Sequence, residues 1–541
     1  MFSGELQMFH PVYRRILLAI LLLLPGQVYA QFETSSVLGT IADASGAVIS
    51  GATVTLTSVE TGVVVNTTTN NNGSYEFLNV RPGRFTVGAE MAGFKRSVSD
   101  AFTVTVGTRQ RVSLSLQVGE VSETVTVSEA AALVETDTSS RGTVVGSQQA
   151  VDLPLNGRAY ADLALLTPGT VQALRGTTLG GARDASYHVN GLRSSYNNFA
   201  LDGVENNSYG TSNQGFSNQV VQLSPDAVGE FRVITNNFSA EYGRAGGAVI
   251  NAAYRSGTNE FHVTAWEFLR NKALNATGFF KPQTGEKPDL IQNQYGIAGG
   301  GPILKNRLFF FADYEGLRRK QSNLFFADLP NQQMRQGNFS GVNLRNPYDG
   351  TPYVNGQVPQ ALQSRFAQQV LADLPAPNRA GVGPLGVGTN FEYLGAFDTP
   401  DNKWNTKIDQ FWNEKFTSFF RYSWRELNQF EPPAIPGSSG GNANGHVYVK
   451  NYAIAAGTTY TVTPTSLLEV RFGYTRSESG KKPVNFAEPH IEDTYGITGI
   501  ERDERIGGGL NTQAVTGFST FGRQDSNPQF QWPTVWNPRV N

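Results

Sequence analysis

Residues 452–475 read YAIAAGTTYTVTPTSLLEVRFGYT, and their pattern decides the fold. Tyr452, Ile454, Ala456, Thr458, Tyr460 and Val462 alternate with Ala453, Ala455, Gly457 and Thr461. After the turn Thr463-Pro464-Thr465-Ser466, Leu468, Val470, Phe472 and Tyr474 alternate with Glu469, Arg471, Gly473 and Thr475. A period of two places each set on its own face of a strand. One face is apolar and aromatic; the other is small or polar. Segments of about ten residues built this way suit a transmembrane barrel strand, which shows lipid on one side and a wet lumen on the other.

The same texture extends outward from this hairpin. Leu308, Phe310, Ala312 and Tyr314 alternate with Arg307, Phe309, Phe311 and Asp313. Phe416, Ser418, Phe420, Tyr422 and Trp424 alternate with Thr417, Phe419, Arg421 and Ser423. Residues 318–401 and 426–450 contain Gly, Asn and Pro and read as long connections. Short turns on one side and long loops on the other are the usual asymmetry of outer-membrane barrels. The competing reading is a soluble sandwich whose strand aromatics form its core.

The whole chain has 541 residues, 58 glycines, no cysteine and a formal net charge of -2, with only 16% charged residues. This composition suits many short strands and turns. The near-zero charge gives no reason to expect a nucleic-acid partner. Without cysteine there is no disulfide, thiolate metal site or Cys-anchored lipid. Arg14 and Arg15 precede nine apolar residues, 16–24, and Val28-Tyr29-Ala30 offers small residues to a signal peptidase. Residues 1–30 therefore read as a secretory signal cleaved between Ala30 and Gln31. The apolar run is too short to span about 30 Å of hydrocarbon as a helix. If the mature chain enters a membrane, it must do so as a barrel.

Residues 31–118 read as a small β-sandwich. Val54-Thr55-Leu56-Thr57 alternates, Tyr75-Glu76-Phe77-Leu78 follows the turn Asn71-Asn72-Gly73, and Phe85-Thr86-Val87 follows Arg81-Pro82-Gly83. Val104, Val106, Val112, Leu114 and Leu116 then fall at period two. The stretches "GTIADASGAVISGATVTL" and "TTTNNNGSYEFLNVRPGRFTVGAEMAGF" resemble the carboxypeptidase regulatory-like family. The resemblance implies a transthyretin-like or carbohydrate-binding-like sandwich without peptidase chemistry. Residues 119–139 show neither a helical stripe nor a clear turn and read as an extended linker. Within them, Glu123, Thr124, Val125, Thr126 and Val127 resemble a TonB box, a β-prone segment that pairs with a strand of a periplasmic energy transducer. Such β-augmentation takes its affinity from main-chain hydrogen bonds. An ordinary linking strand would look the same.

Residues 140–254 are polar and rich in Gly and Asn. Three separated stretches stand out: "LPLNGR" at 153–158, "YHVNGLRSSYNNFALDGVENN" at 187–207, and a long one opening "SPDAVGEFRVITNNFSAEYGRAGGAVIN" at 224. Asn190-Gly191, before Arg193, and Asp202-Gly203, after Leu201, mark tight turns. Gly243, Gly246 and Gly247, between Glu241, Arg244 and the next strand, would let backbone approach backbone. In this order the stretches resemble the plug of TonB-dependent receptors, specifically the Oar-like branch. Residues 261–270, 295–304 and 307–316 continue that resemblance. It implies an outer-membrane location in a Gram-negative cell. It also implies a TonB-type transducer and membrane lipid as partners, and a solute that could be a carbohydrate.

The expected fold is thus all-β: a sandwich, a plug at 140–254, and an incomplete transmembrane antiparallel barrel at 255–541. Barrels of about 8 strands are filled by their own side chains, whereas plugged transporters need about 22. About eight strands can be counted between residues 261 and 536, and the chain ends WNPRVN rather than on a terminal aromatic. The sequence therefore reads as the first part of a longer receptor.

No catalytic or cofactor site is expected. The five histidines, His10, His188, His262, His446 and His490, form no local metal motif, and no P-loop is present. Gly299-Gly300-Gly301 lacks the strand–helix setting of a phosphate loop. Three functions fit: energised import of a bulky solute (siderophore, cobalamin or glycan), a structural or adhesion role at the surface, or a carbohydrate-binding module fused to a polar passenger. The segment at 123–127 favours the first.

Overall fold

The computed structural model describes residues 35–540 apart from 120–123, 128–139, 156, 173–185, 210–213, 215–216, 239–241, 384, 438, 441–442, 464–465, 487–488 and 500–507. The expected leader with Ala30 and Gln31, and also Glu123 and Glu241, lie outside the described residues. Among the described residues no helix is long and apolar enough to cross a membrane.

The N-terminal unit is a two-sheet sandwich. Ser35–Asp43 is the hub of one sheet, antiparallel to Ser74–Val80 and parallel to Arg109–Arg111 and Leu114–Leu116. The other sheet carries Thr53–Ser58, Val64–Thr68, Gly83–Glu90, Arg96–Ser99 and Phe102–Val104. Alternation decides what is inside: Val54, Leu56, Tyr75, Phe77, Val87, Val104, Leu114 and Leu116 share one core. Tyr75 keeps its hydroxyl satisfied there by donating to the Val112 carbonyl at 2.6 Å. Of the linker expected over 119–139, residues 120–123 and 128–139 lie outside the described residues, and the β-prone segment within it has a partner. Thr124–Val127 forms a strand parallel to Arg96–Ser99, at the end of the second sheet. A sheet edge with free N–H and C=O groups captures any β-prone neighbour within reach.

The plug is built on a five-stranded sheet. In spatial order it runs Arg141–Gly146, Val228–Asn236, Val249–Tyr254, Asn198–Leu201 and Val204–Glu205, with one parallel pair between Val249–Tyr254 and Asn198–Leu201. Its core includes Tyr187, Phe199, Leu201, Phe231 and Ile250, and it continues into Ala298, Phe311 and Ala453 of the next unit.

That unit is a single antiparallel meander. His262–Asn271, Leu290–Leu304, Leu308–Ala327, Phe391–Asn413, Phe416–Glu431, Gly445–Thr463 and Ser466–Lys482 pair in sequence order, and Gln529–Gln531 and Thr534–Val540 share the far edge of Ser466–Lys482. Among the described residues the first and last strands do not pair with each other, so the sheet is open. Phe420, Tyr422, Leu468, Val470 and Phe472 are exposed on the outer face, while Arg421, Ser423, Glu469 and Arg471 are buried on the face toward the plug. Tyr314, Trp404, Trp424 and Tyr452 stand side by side across four strands. A second aromatic row holds Phe416 beside Tyr460, with Trp412 stacked on Phe416. Tyr452 and Tyr460 are about 27 Å apart along a strand. Once tilted, that spacing fits the apolar band of about 25 Å between the aromatic girdles of an outer-membrane barrel.

Two sequence expectations fail in an informative way. The strands are not about ten residues long: Leu308–Ala327 has 20 and Phe391–Asn413 has 23. Much of 318–401 and both ends of 426–450 are therefore strand, and the real loops are 328–390 and 432–444. In the polar run Arg318-Arg319-Lys320-Gln321, Arg318 and Lys320 are exposed, yet each residue still has a partner across the ladder, so pairing continues past the apolar stretch. The loops also fold. Leu329, Val370, Leu374, Ile435, Ile491 and Leu510, from three different loops, share a core beyond the strand ends. The short turns around Asn306 and Glu414 lie at the opposite end, against the sandwich: Asn306 stands beside Gly62, and Asn66 donates to Glu414 at 3.3 Å.

Candidate functional site

The arrangement most open to function is the seam between plug and sheet, where charge is buried. At its centre is the turn Asp202-Gly203, with both residues at positive φ, joining Asn198–Leu201 to Val204–Glu205. Asp202 accepts from Lys407 Nζ at 2.9 Å and from the Tyr254 amide at 3.2 Å, and Arg421 Nε lies 3.4 Å from its other oxygen. Lys407 and Arg421 come from adjacent sheet strands. Gly203 suits glycine: its φ is +75°, which strains any side chain, and a Cβ there would displace the Arg471 side chain.

A second contact spans the seam at Arg158. Its guanidinium pairs with Asp226 of the plug and, at 3.1 Å, with Glu315 of the sheet, and it packs over the rings of Trp266 and Phe268. Glu315 also accepts from Lys403 at 3.2 Å and Gln294 at 3.2 Å. A third contact is Asp313, which accepts from Tyr254 Oη at 2.7 Å, Ser224 at 3.1 Å and Asn405 at 3.1 Å. All four carboxylates, Asp202, Asp226, Asp313 and Glu315, are buried. Charge-assisted bonds of this kind are strong and directional, and each becomes costly when one partner leaves.

The sandwich is joined to both other units. Arg81 reaches Asp409 at 2.6 Å and covers the Phe411 ring, and Asn259 donates to the Thr61 carbonyl at 2.6 Å. On the plug side, Arg232 donates to the Gly107 carbonyl at 2.7 Å, and Glu230 accepts from the Val106 amide. Burial pushes the Glu230 carboxyl up to about 7, against the lowering influence of the Val106 N–H and of Arg232.

Several residues singled out in the sequence meet at this seam, and others do not. Leu201, Asp202 and Gly203 are at its centre. Asn190 and Gly191 form the expected tight turn, with positive φ at both, and Asn190 donates to the Thr235 carbonyl at 2.9 Å. Arg193 is exposed and Arg244 is largely so; Arg244 pairs with Glu205 at 3.0 Å on the plug surface. The close approach expected of the 243–247 glycines is made by Gly246 and Gly247, whose amides donate to the Tyr196 carbonyl at 3.0 and 3.1 Å. Gly243 has open space where a Cβ would stand. Thr124, Val125, Thr126 and Val127 are far along the chain from the seam and belong to the sandwich sheet.

Comparison with known families follows the same three units. A model of the outer membrane beta barrel domain matches residues 253–541. The chain belongs to that family. The TonB-dependent Receptor Plug Domain matches residues 134–249 and the Carboxypeptidase regulatory-like domain residues 36–117, so this is a TonB-dependent receptor of the outer membrane with a regulatory-like sandwich. The receptor is 28% identical over 299 residues to the TonB-dependent transporter Oar of Myxococcus xanthus, covering 52% of this chain and 26% of that protein. Among solved structures it is similar to the outer membrane transporter YddB of Escherichia coli, at 13% identity and a TM-score of 0.45, over 74% of this chain and 45% of that one. It is also similar to the siderophore receptor PirA of Acinetobacter baumannii, at 14% identity and a TM-score of 0.38, over 67% of this chain and 43% of that one. The chain thus spans about a quarter of the curated relative and under half of these solved chains.

Sequence reading gave no role to Arg158, Asp226, Asp313, Glu315, Lys403, Lys407 or Arg421. A signal was present in the receptor's strands. Asp313, Glu315 and Arg421 occupy the inward phase of runs rich in aromatics, and Lys407 shares the inward phase of its strand with Asn405 and Asp409; a charge at an inward position needs a partner.

Proposed function

We propose that the receptor imports a bulky solute of the siderophore, cobalamin or glycan class. The plug is its gate, and a TonB-type transducer in the periplasm supplies the work through the segment 123–127. The observation that carries this reading is the seam. The plug is held to the wall by a few buried ion pairs around Asp202 and Arg158 rather than by a continuous apolar core alone. Such a contact has two discrete states. Seated, it is fully paired; displaced, each group is paired by water instead. Pulling the plug at its N-terminal side would convert one state into the other and open a path along the wall. A surface adhesion role for the sandwich is less well supported, because that domain packs against the short-turn end of the strands, away from the folded loops.

The test is uptake by cells carrying the full-length receptor, offered ferric siderophores, cobalamin and oligosaccharides in turn. At least one class should accumulate and stop accumulating when the proton-motive force is collapsed. Val125→Pro removes a backbone donor and fixes φ, and should abolish uptake while outer-membrane abundance stays normal. Accumulation that survives both treatments overturns the reading.

A further inference from the structure

The sandwich has a sheet edge that ends on a segment of unusual placement. In the order Val64–Thr68, Thr53–Ser58, Gly83–Glu90, Arg96–Ser99, the next and last strand is Thr124–Val127. Its register is fixed over four pairs: Thr124 with Arg96, Val125 with Ser97, Thr126 with Val98, Val127 with Ser99. Among the described residues no strand lies on its other side. Backbone groups of a strand point alternately to its two edges, so pairing with Arg96–Ser99 uses one edge and leaves the other open. The approach to the segment is also anchored: Val118 bridges Phe94, with its side chain exposed, just before the strand begins.

We propose that the sandwich is a docking platform for the energy transducer. It holds Thr124–Val127 as a ready-made edge strand, and the transducer's strand adds to the open edge, so that sandwich, segment and partner form one continuous sheet. This rests on the reading of 123–127 as the transducer's target. Ordering a free residue costs about 1–2 kcal/mol of backbone entropy. A segment already held as a strand removes that cost from the binding step, and main-chain hydrogen bonds then supply the affinity. The platform is itself fixed to the wall through Arg81 and Asp409 and to the plug through Arg232 and Gly107. Force applied to the added strand therefore reaches the seam through the sandwich and not through residues 128–139 alone. The alternative arrangement, in which the segment must leave the sandwich before the transducer can take it, predicts the opposite response to locking.

These 541 residues contain no cysteine, so an engineered pair among them forms a single disulfide within this stretch. Ser97→Cys with Val125→Cys puts the two substituted positions opposite each other on neighbouring strands, whose backbones run about 4.8 Å apart, within the Cα separation that a disulfide bridges. The receptor with this pair is purified in detergent, oxidised or reduced, and titrated with the isolated periplasmic domain of a TonB-type transducer. Thiol titration should show the bond forming readily, and the oxidised receptor should bind at least as tightly as the reduced one, up to about tenfold tighter. Two results overturn the proposal while leaving the import reading standing: no disulfide forms, or oxidation weakens binding more than tenfold. If neither form binds, nor does the unmodified receptor, the transducer reading falls and this inference falls with it.

Discussion

The sandwich and the plug are held in place by opposite means. The sandwich core is closed on itself: among the described residues the hydrophobic cluster that holds Val54, Leu56, Phe77, Val87 and Leu116 has members from the sandwich alone. The plug core runs on into Ala298, Phe311 and Ala453 of the sheet, and beside it Asp202, Asp226, Asp313 and Glu315 are buried with their cations or donors divided between two units. The difference separates a domain with a hydrophobic cluster of its own from one whose cluster is shared with the surrounding sheet. Apolar cores resist every displacement equally. A few buried charge pairs resist displacement until they break, and water then satisfies them.

The largest effect that would break this contrast is expected at Asp202. Asp202→Ala leaves Lys407 and Arg421 buried without their carboxylate, which should weaken seating of the plug by about 3–5 kcal/mol. In detergent-solubilised receptor, limited proteolysis should then cut within 140–254 at denaturant concentrations where the unaltered protein resists, while the sandwich transition stays put. If plug and sandwich lose protection together, the two units are not independent.

The next effect sharpens the other half. Residues 31–118 alone should show β-type circular dichroism and a cooperative thermal transition, and Leu56→Ala should lower its stability by about 2–5 kcal/mol. The same substitution in the receptor should leave plug protection unchanged. A random-coil spectrum for 31–118 would remove the basis of the comparison.

The smallest effect concerns the joint between the two. Glu230 titrates near 7 in place because burial favours its neutral form, while its ordinary value is 4.5. A carboxyl with a raised value stabilises the docked state fully below about 4.5, and that contribution is lost as the pH rises through about 7. Hydrogen exchange at the Val106 amide should therefore be slower, relative to its intrinsic rate, at pH 5.5 than at pH 8. Glu230→Gln should flatten that dependence, and an equal slope in the variant would assign it to another group.

How far the sequence carried depended on the range of the information needed. Alternation in Tyr452–Tyr474 is local, and it placed both the strands and their two faces correctly. The tight turns at Asn190-Gly191 and Asp202-Gly203 are local too. The pairing of Asp202 with Lys407 and Arg421 joins residues some 200 positions apart, and nothing in the "LDG" triplet announces a cation. Strand ends were misplaced because the polar stretches at 318–323 and 398–403 look like loop when read singly, and only the neighbouring strand makes them sheet. Thr124–Val127 was recognisable as β-prone, but its partner was not, because capture depends on which edge of the sandwich lies free.

One consequence follows from the length of those strands. At about 3.3 Å per residue and a tilt near 40°, the 23 residues of Phe391–Asn413 climb about 60 Å. That is more than twice the apolar band, so the upper half of the wall is a palisade standing clear of the lipid. The folded loops around Leu329, Val370 and Ile435 crown it. Anything approaching the wall from that end would meet this crown first, tens of ångströms beyond the apolar band.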